Sequence, residues 1–138
     1  GAFIGRYEDK VENQFYWYIR PQETGNKTDV RWLTLLDSGG LGVKITGLQP
    51  ISFSALHFSP EDLDPGLTRK LQHTIDIVPQ KNIFLHVDLK QRGLGGDNSW
   101  GMYPHNEYRL LDKKYTYSYM IELVEKGSDK NDYLNSRK

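Results

Sequence analysis

Apolar residues along this chain recur mostly at every second position, in short runs broken by glycine, proline and asparagine. Phe15, Trp17 and Ile19 alternate with Tyr16, Tyr18 and Arg20, so a strand is predicted over residues 15–20. Pro21 ends it, and the run QETGNKTD supplies a turn with Gly25-Asn26 at its tip. A second strand is predicted over 30–37 and forms a hairpin with the first. Ser38-Gly39-Gly40 turns the chain again, into strands over 41–47 and 51–58. Ser59-Pro60-Glu61-Asp62 reads as a helix start, with Ser as N-cap, Pro at the first position and acids in the first turn. Pro65-Gly66 limits that helix to one or two turns. Further strands are predicted over 71–78, over 83–90 and over 114–124, the last with Tyr115, Tyr117, Tyr119, Ile121 and Leu123 on one face. Strands and turns at a spacing of about ten residues predict an antiparallel all-β domain, of sandwich or barrel type, with one short helix.

The strand over 83–90 opens the most distinctive stretch, HVDLKQRGLGGDNSWG from His86 to Gly101. Its loop holds Gly93, Gly95, Gly96 and Gly101, with Asp97, Asn98 and Ser99 between them and Trp100 near the end. So many glycines cost backbone entropy, which predicts dihedrals or close approaches closed to other residues. A phosphate cradle does not fit. In the pattern G-x-G-x-x-G the third glycine would fall on Asn98 when counted from Gly93, and on Ile45 when counted from Gly40.

Composition narrows the function classes. The 138 residues suffice for one domain, and nine Tyr, five Phe and three Trp raise the area per side chain of a 37% hydrophobic sequence. Lys plus Arg balances Asp plus Glu at 18 each, so charge argues for neither nucleic acid nor an anionic membrane as partner. No cysteine is present, which excludes disulfides and thiolate metal sites and leaves the compartment, cytoplasmic or periplasmic, open. The chain opens GAFIGRYE without an initiator Met, which predicts a piece of a longer protein with Gly1 a tag remnant. The tail over 127–138 is polar and predicted to fray.

Catalytic signatures are missing. No nucleophile elbow or Ser-His-Asp set stands in a suitable context, and the 18 acids nominate no facing pair of the kind glycosidases need. His86 and Asp88 share a strand face, and Asp97 with Asn98 could add oxygens, but no metal-ligand spacing appears; a hydrogen-bonded structural pair is the favoured reading. His57, His73 and His105 stand alone and read as packing or surface residues. Aromatic recognition remains. A flat indole matches the C–H face of a sugar, and Asp, Asn, Ser and His answer its rim hydroxyls. By composition Trp100 is equally a core plug or a ligand platform.

Three segments carry a resemblance. YIRPQETGNKTDVRWL from Tyr18 to Leu33, HVDLKQRGLGGDNSWG from His86 to Gly101, and Tyr108-Arg109-Leu110 together resemble the C-terminal domain of large bacterial β-galactosidases of glycoside hydrolase family 2. In some bacteria the equivalent region belongs to a separate small subunit. The resemblance spans residues 1 to about 126 and implies the C-terminal part of a larger β-sandwich, a supersandwich. It implies further that the catalytic glutamates lie in a TIM-barrel domain elsewhere, so that this chain is inactive alone. Trp100 is then the substrate platform for the sugar beyond galactose, with Asp97, Asn98, Ser99 and His86 as substrate-binding neighbours. Family metal ions, Mg²⁺ or Na⁺, are held mainly by other domains, so no cofactor is implied in this chain. The implied partners are the barrel domain, a galactoside and further copies of the complete enzyme, with neither nucleic acid nor membrane. One departure stands out: the family loop has two acids before Ser-Trp, where this chain has Asp97 followed by neutral Asn98. The competing readings are a stand-alone carbohydrate-binding module and a purely structural domain.

Overall fold

A computed structural model describes residues 3–17, 24–64, 66, 73–93, 96–98 and 101–126. Its strands are β1 (Lys27–Leu36), β2 (Gly42–Leu56), β3 (Phe84–Asp88) and β4 (Tyr119–Val124), and its one α-helix is α1 (Pro60–Leu63). β2 pairs antiparallel with β3 and with β4 and also takes β1 as a neighbour, so the fold is an antiparallel all-β arrangement with one short helix, as in a sandwich-like domain. No helix among the described residues is long and apolar enough to cross a membrane.

The chain divides into two compact units. One comprises Gly1–Thr28 with Ser52–Asp88, the other Asp29–Ile51 with Leu89–Lys138. In the first unit the second half of β2 runs against β3, with Ser54 opposite His86 and Ser52 opposite Asp88. Its apolar cluster is Leu56, Phe58, Leu63 and Ile77, with Phe15 packed on it. The Phe15 ring lies 4.5 Å from Phe58 and meets Trp17 edge-on at 4.8 Å. Helix α1 starts as its sequence predicts. Ser59 Oγ accepts from the Asp62 N–H, and the Asp62 carboxylate accepts from the Ser59 N–H at 2.8 Å, a reciprocal cap.

The second unit carries the hairpin of β1 and the first half of β2. The Asp37 carboxylate accepts from the N–H groups of Gly39 and Leu41 at 2.8 and 2.9 Å, and Gly40 takes φ +85°, where a side chain would be strained. On β2, residues Gly42 to Gly47 pair with Val124 back to Tyr119 of β4. Leu33, Ile45, Ile51 and Val124 are buried in this unit.

Three sequence expectations change. Residues 15–17 form no strand; a 3₁₀ turn at Val11–Gln14 precedes them, and 18–23 lie outside the described residues. Their aromatic alternation serves the cluster around Phe58 instead, and β1 finds its hairpin partner in β2. The strands expected over 41–47 and 51–58 are a single β2 that runs through Pro50. The Gln49 side-chain amide makes this possible by bonding both O and N–H of Ser118, at 3.1 and 3.2 Å, where the ladder lacks a backbone donor. Residues 73–78 are not a strand either. The Asp76 carboxylate accepts from the His73 N–H at 2.9 Å and turns Thr74–Asp76 into a 3₁₀ helix, exposing Ile75 and burying Ile77. The tail over 127–138 lies outside the described residues.

Candidate functional site

The glycine loop leaves β3 and returns toward β4 within the second unit, and its two limbs lie against each other. The Gly93 N–H donates to the Tyr108 carbonyl at 2.7 Å. A Cβ at Gly93 would sit 2.7 Å from the Tyr108 Cβ, and one at Gly96 would sit 2.4 Å from the Met102 carbonyl oxygen. Both distances are shorter than real Cβ contacts, so the limbs approach as closely as they do only because these positions are glycine. Gly101, at φ +101°, makes the reversal between the limbs. The returning limb is stiffened by a 3₁₀ turn at Asn106–Tyr108 and by Arg109, whose guanidinium bonds the Asn106 side chain at 3.2 Å and lies 4.9 Å from the centre of the Tyr103 ring.

A further bond ties the limbs. His105 Nε2 lies 2.8 Å from Asp97 Oδ1. The Asp97 carboxylate raises the His105 pKa above its ordinary value, through the hydrogen bond first and its charge second, and Glu107 adds to the rise. Both side chains are well exposed, at 61% for His105 and 70% for Asp97. His105 was expected to stand alone and does not. His57 and His73 are also engaged: His57 Nδ1 lies 2.9 Å from the Gln80 carbonyl, and His73 Nδ1 lies 3.4 Å from Asp76.

The other predicted site residues fall as follows. Ser99 and Trp100 lie outside the described residues. Asn98 is exposed beside Asp97. His86 is half-buried on β3, in the first unit, and no bond joins it to Asp88. The structural His86–Asp88 pair expected from the sequence is therefore absent. No group of three or more His, Asp or Glu among the described residues is placed to hold a metal ion, so no step is drawn through one.

The family model described as "Beta galactosidase small chain" matches residues 1–121. This chain belongs to the β-galactosidase small-chain family. It is 35% identical over 123 residues to a β-galactosidase of Priestia megaterium, covering 88% of this chain and 11% of that protein. Over 124 residues it is 36% identical to a β-galactosidase of Streptococcus thermophilus, covering 88% of this chain and 12% of the relative. Against a β-galactosidase of Lactobacillus delbrueckii subsp. bulgaricus it is 34% identical over 115 residues, covering 83% and 11%. The small-chain match thus takes in both the paired strands and the glycine loop, while the chain spans only about a tenth of the length of these curated relatives.

Proposed function

We propose that this chain is the non-catalytic C-terminal part of a β-galactosidase of glycoside hydrolase family 2, an enzyme that releases terminal non-reducing β-D-galactose. In this reading residues 1–126 are the C-terminal part of a β-sandwich domain, and 127–138 a flexible tail. The observation that carries the reading is the match to β-galactosidases over nearly all of this chain but about a tenth of theirs. A retaining glycosidase works with two carboxyl groups facing each other across the bond. Several acids described here already serve local structure: Asp37 closes the hairpin, Asp62 and Asp76 cap turns, and Asp97 holds His105. That usage supports placing the catalytic pair in another part of the protein, a TIM-barrel domain.

Exposed apolar residues point the same way. On β4, Tyr119, Met120, Ile121 and Leu123 all face solvent in the chain alone, Leu123 at 85%. Burying a leucine of that exposure contributes about 1.5–3 kcal/mol, so the remainder of the enzyme is the natural cover for this strand. The glycine loop supplies the contribution to catalysis: Trp100 offers its indole to the sugar beyond galactose, and Asp97, Asn98, Ser99 and His86 meet hydroxyl groups.

Hydrolysis of a β-galactoside by the isolated chain, measured beside the complete enzyme, tests this. The chain alone is expected to release no galactose and to bind galactosides more weakly than millimolar. Turnover by the isolated chain would overturn the reading, and millimolar or tighter binding by titration would replace it with a self-sufficient carbohydrate-binding module.

A further inference from the structure

The two limbs of the glycine loop meet at three places: Gly93 with Tyr108, Gly96 with Met102, and Asp97 with His105. The first two are fixed by backbone packing and cannot respond to conditions. The third is a side-chain bridge between two well-exposed groups that pack against nothing that would need them for stability. Its position is informative. Asp97 is the last residue but one before the unpaired tip, and His105 reaches back to it from just before the 3₁₀ turn at Asn106–Tyr108. A bridge there shortens the free tip to the few residues around Asn98 and Gly101, lowering the entropy lost when the tip is ordered by a ligand.

We propose that the Asp97–His105 bridge is a positioning device that holds the glycine loop closed and ready for the sugar beyond galactose, with His105 a positioning residue for substrate binding. The proposal rests on the reading of this loop as the substrate-facing part of a β-galactosidase. It adds His105, which that reading did not include, and it gives Asp97 a role toward His105.

The bridge is also pH-dependent in a defined direction. Charged groups on the limbs are Lys90, Arg92 and Asp97 on one and Glu107 and Arg109 on the other; Asp97 and Glu107 are the two that act on His105, and both favour its protonated form. A raised folded-state pKa means that the charged bridge is complete below the ordinary imidazole value of about 6.5 and weakens as pH rises through the raised value. Above it the neutral ring keeps a weaker, uncharged bond.

The test is steady-state kinetics of the complete enzyme on a β-galactoside with a sugar aglycone, at about pH 6 and about pH 9. His105→Ala is expected to raise KM about two- to fivefold at the lower pH with kcat unchanged, the range for losing one exposed charged pair. The KM difference between wild type and variant should shrink at the higher pH. His105→Gln, which keeps a donor but cannot titrate, should restore part of the KM and show no such pH step. If His105→Ala matches wild type in KM at both pH values while Trp100→Ala raises KM, the bridge has no positioning role and the platform reading stands. If Trp100→Ala also leaves KM unchanged, the platform reading fails and the bridge loses its purpose with it. Equal melting temperatures of wild type and His105→Ala confirm that a KM change is not unfolding.

Discussion

Replacing Gly96 by alanine is the sharpest perturbation of the loop. Its φ lies outside the left-handed region, so the substitution brings no backbone strain and acts through space alone. The added Cβ would meet the Met102 carbonyl oxygen at 2.4 Å and the carbonyl carbon at 2.8 Å. Both are backbone atoms and cannot swing aside as a side chain would. Reaching an ordinary contact of 3.4 Å requires the limbs to part by about 1 Å, the difference between that distance and 2.4 Å. A displacement of that size next door would stretch the 2.8 Å Asp97–His105 bond beyond hydrogen-bond reach. Overpacking of this kind costs about 1–3 kcal/mol. The assay has two arms. Hydrogen exchange at the Gly93 amide, which donates to Tyr108 at 2.7 Å, should accelerate as the limbs open. In the complete enzyme KM for a disaccharide substrate should rise at least as far as in His105→Ala. Wild-type exchange together with wild-type KM would refute the closed-limb geometry.

Ser59→Ala removes the acceptor for the Asp62 N–H and should cost about 1 kcal/mol in denaturant unfolding of the chain. Although partial burial opposes it, hydrogen bonds from Ser59 and Gln80 hold the Asp62 carboxyl below its ordinary pKa. Its contribution is therefore present above about pH 4 and lost as pH falls through the depressed value, and Asp62→Asn should flatten that acid-side loss. Leu123→Lys should leave the isolated chain folded and more soluble, because Leu123 is 85% exposed there, while lowering the melting temperature of the complete enzyme. An unchanged melting temperature would mean that β4 is not covered.

The parts of the fold that were legible are those governed by local chemistry. Asp37 with Ser38-Gly39-Gly40 specifies a turn through bonds made within five residues, and Ser59-Pro60 with Asp62 specifies a capped helix start within four. The parts misread depend on partners far along the chain. Gln49 can carry β2 past Pro50 only because Ser118 lies beside it, 69 residues later. Phe15 and Trp17 alternate as strand residues do, yet they gather around Phe58. The glycine loop shows the same division. Its glycines announced close approach, and Gly93 and Gly96 make it. His105 gave no such signal, because its bond to Asp97 joins two stretches of irregular backbone whose register no periodicity encodes.

The central claim is that this chain serves a β-galactosidase by presenting Trp100 to the substrate. The most direct measurement is KM and kcat of the complete enzyme carrying Trp100→Ala, on a disaccharide substrate and on galactosides with small aglycones. Stacking of an aromatic ring contributes about 0.5–1.5 kcal/mol beyond area burial, so KM for the disaccharide should rise about two- to tenfold. The small-aglycone substrates should change less, and the melting temperature should hold. A lowered melting temperature with an unchanged KM would contradict the account and make Trp100 a structural plug.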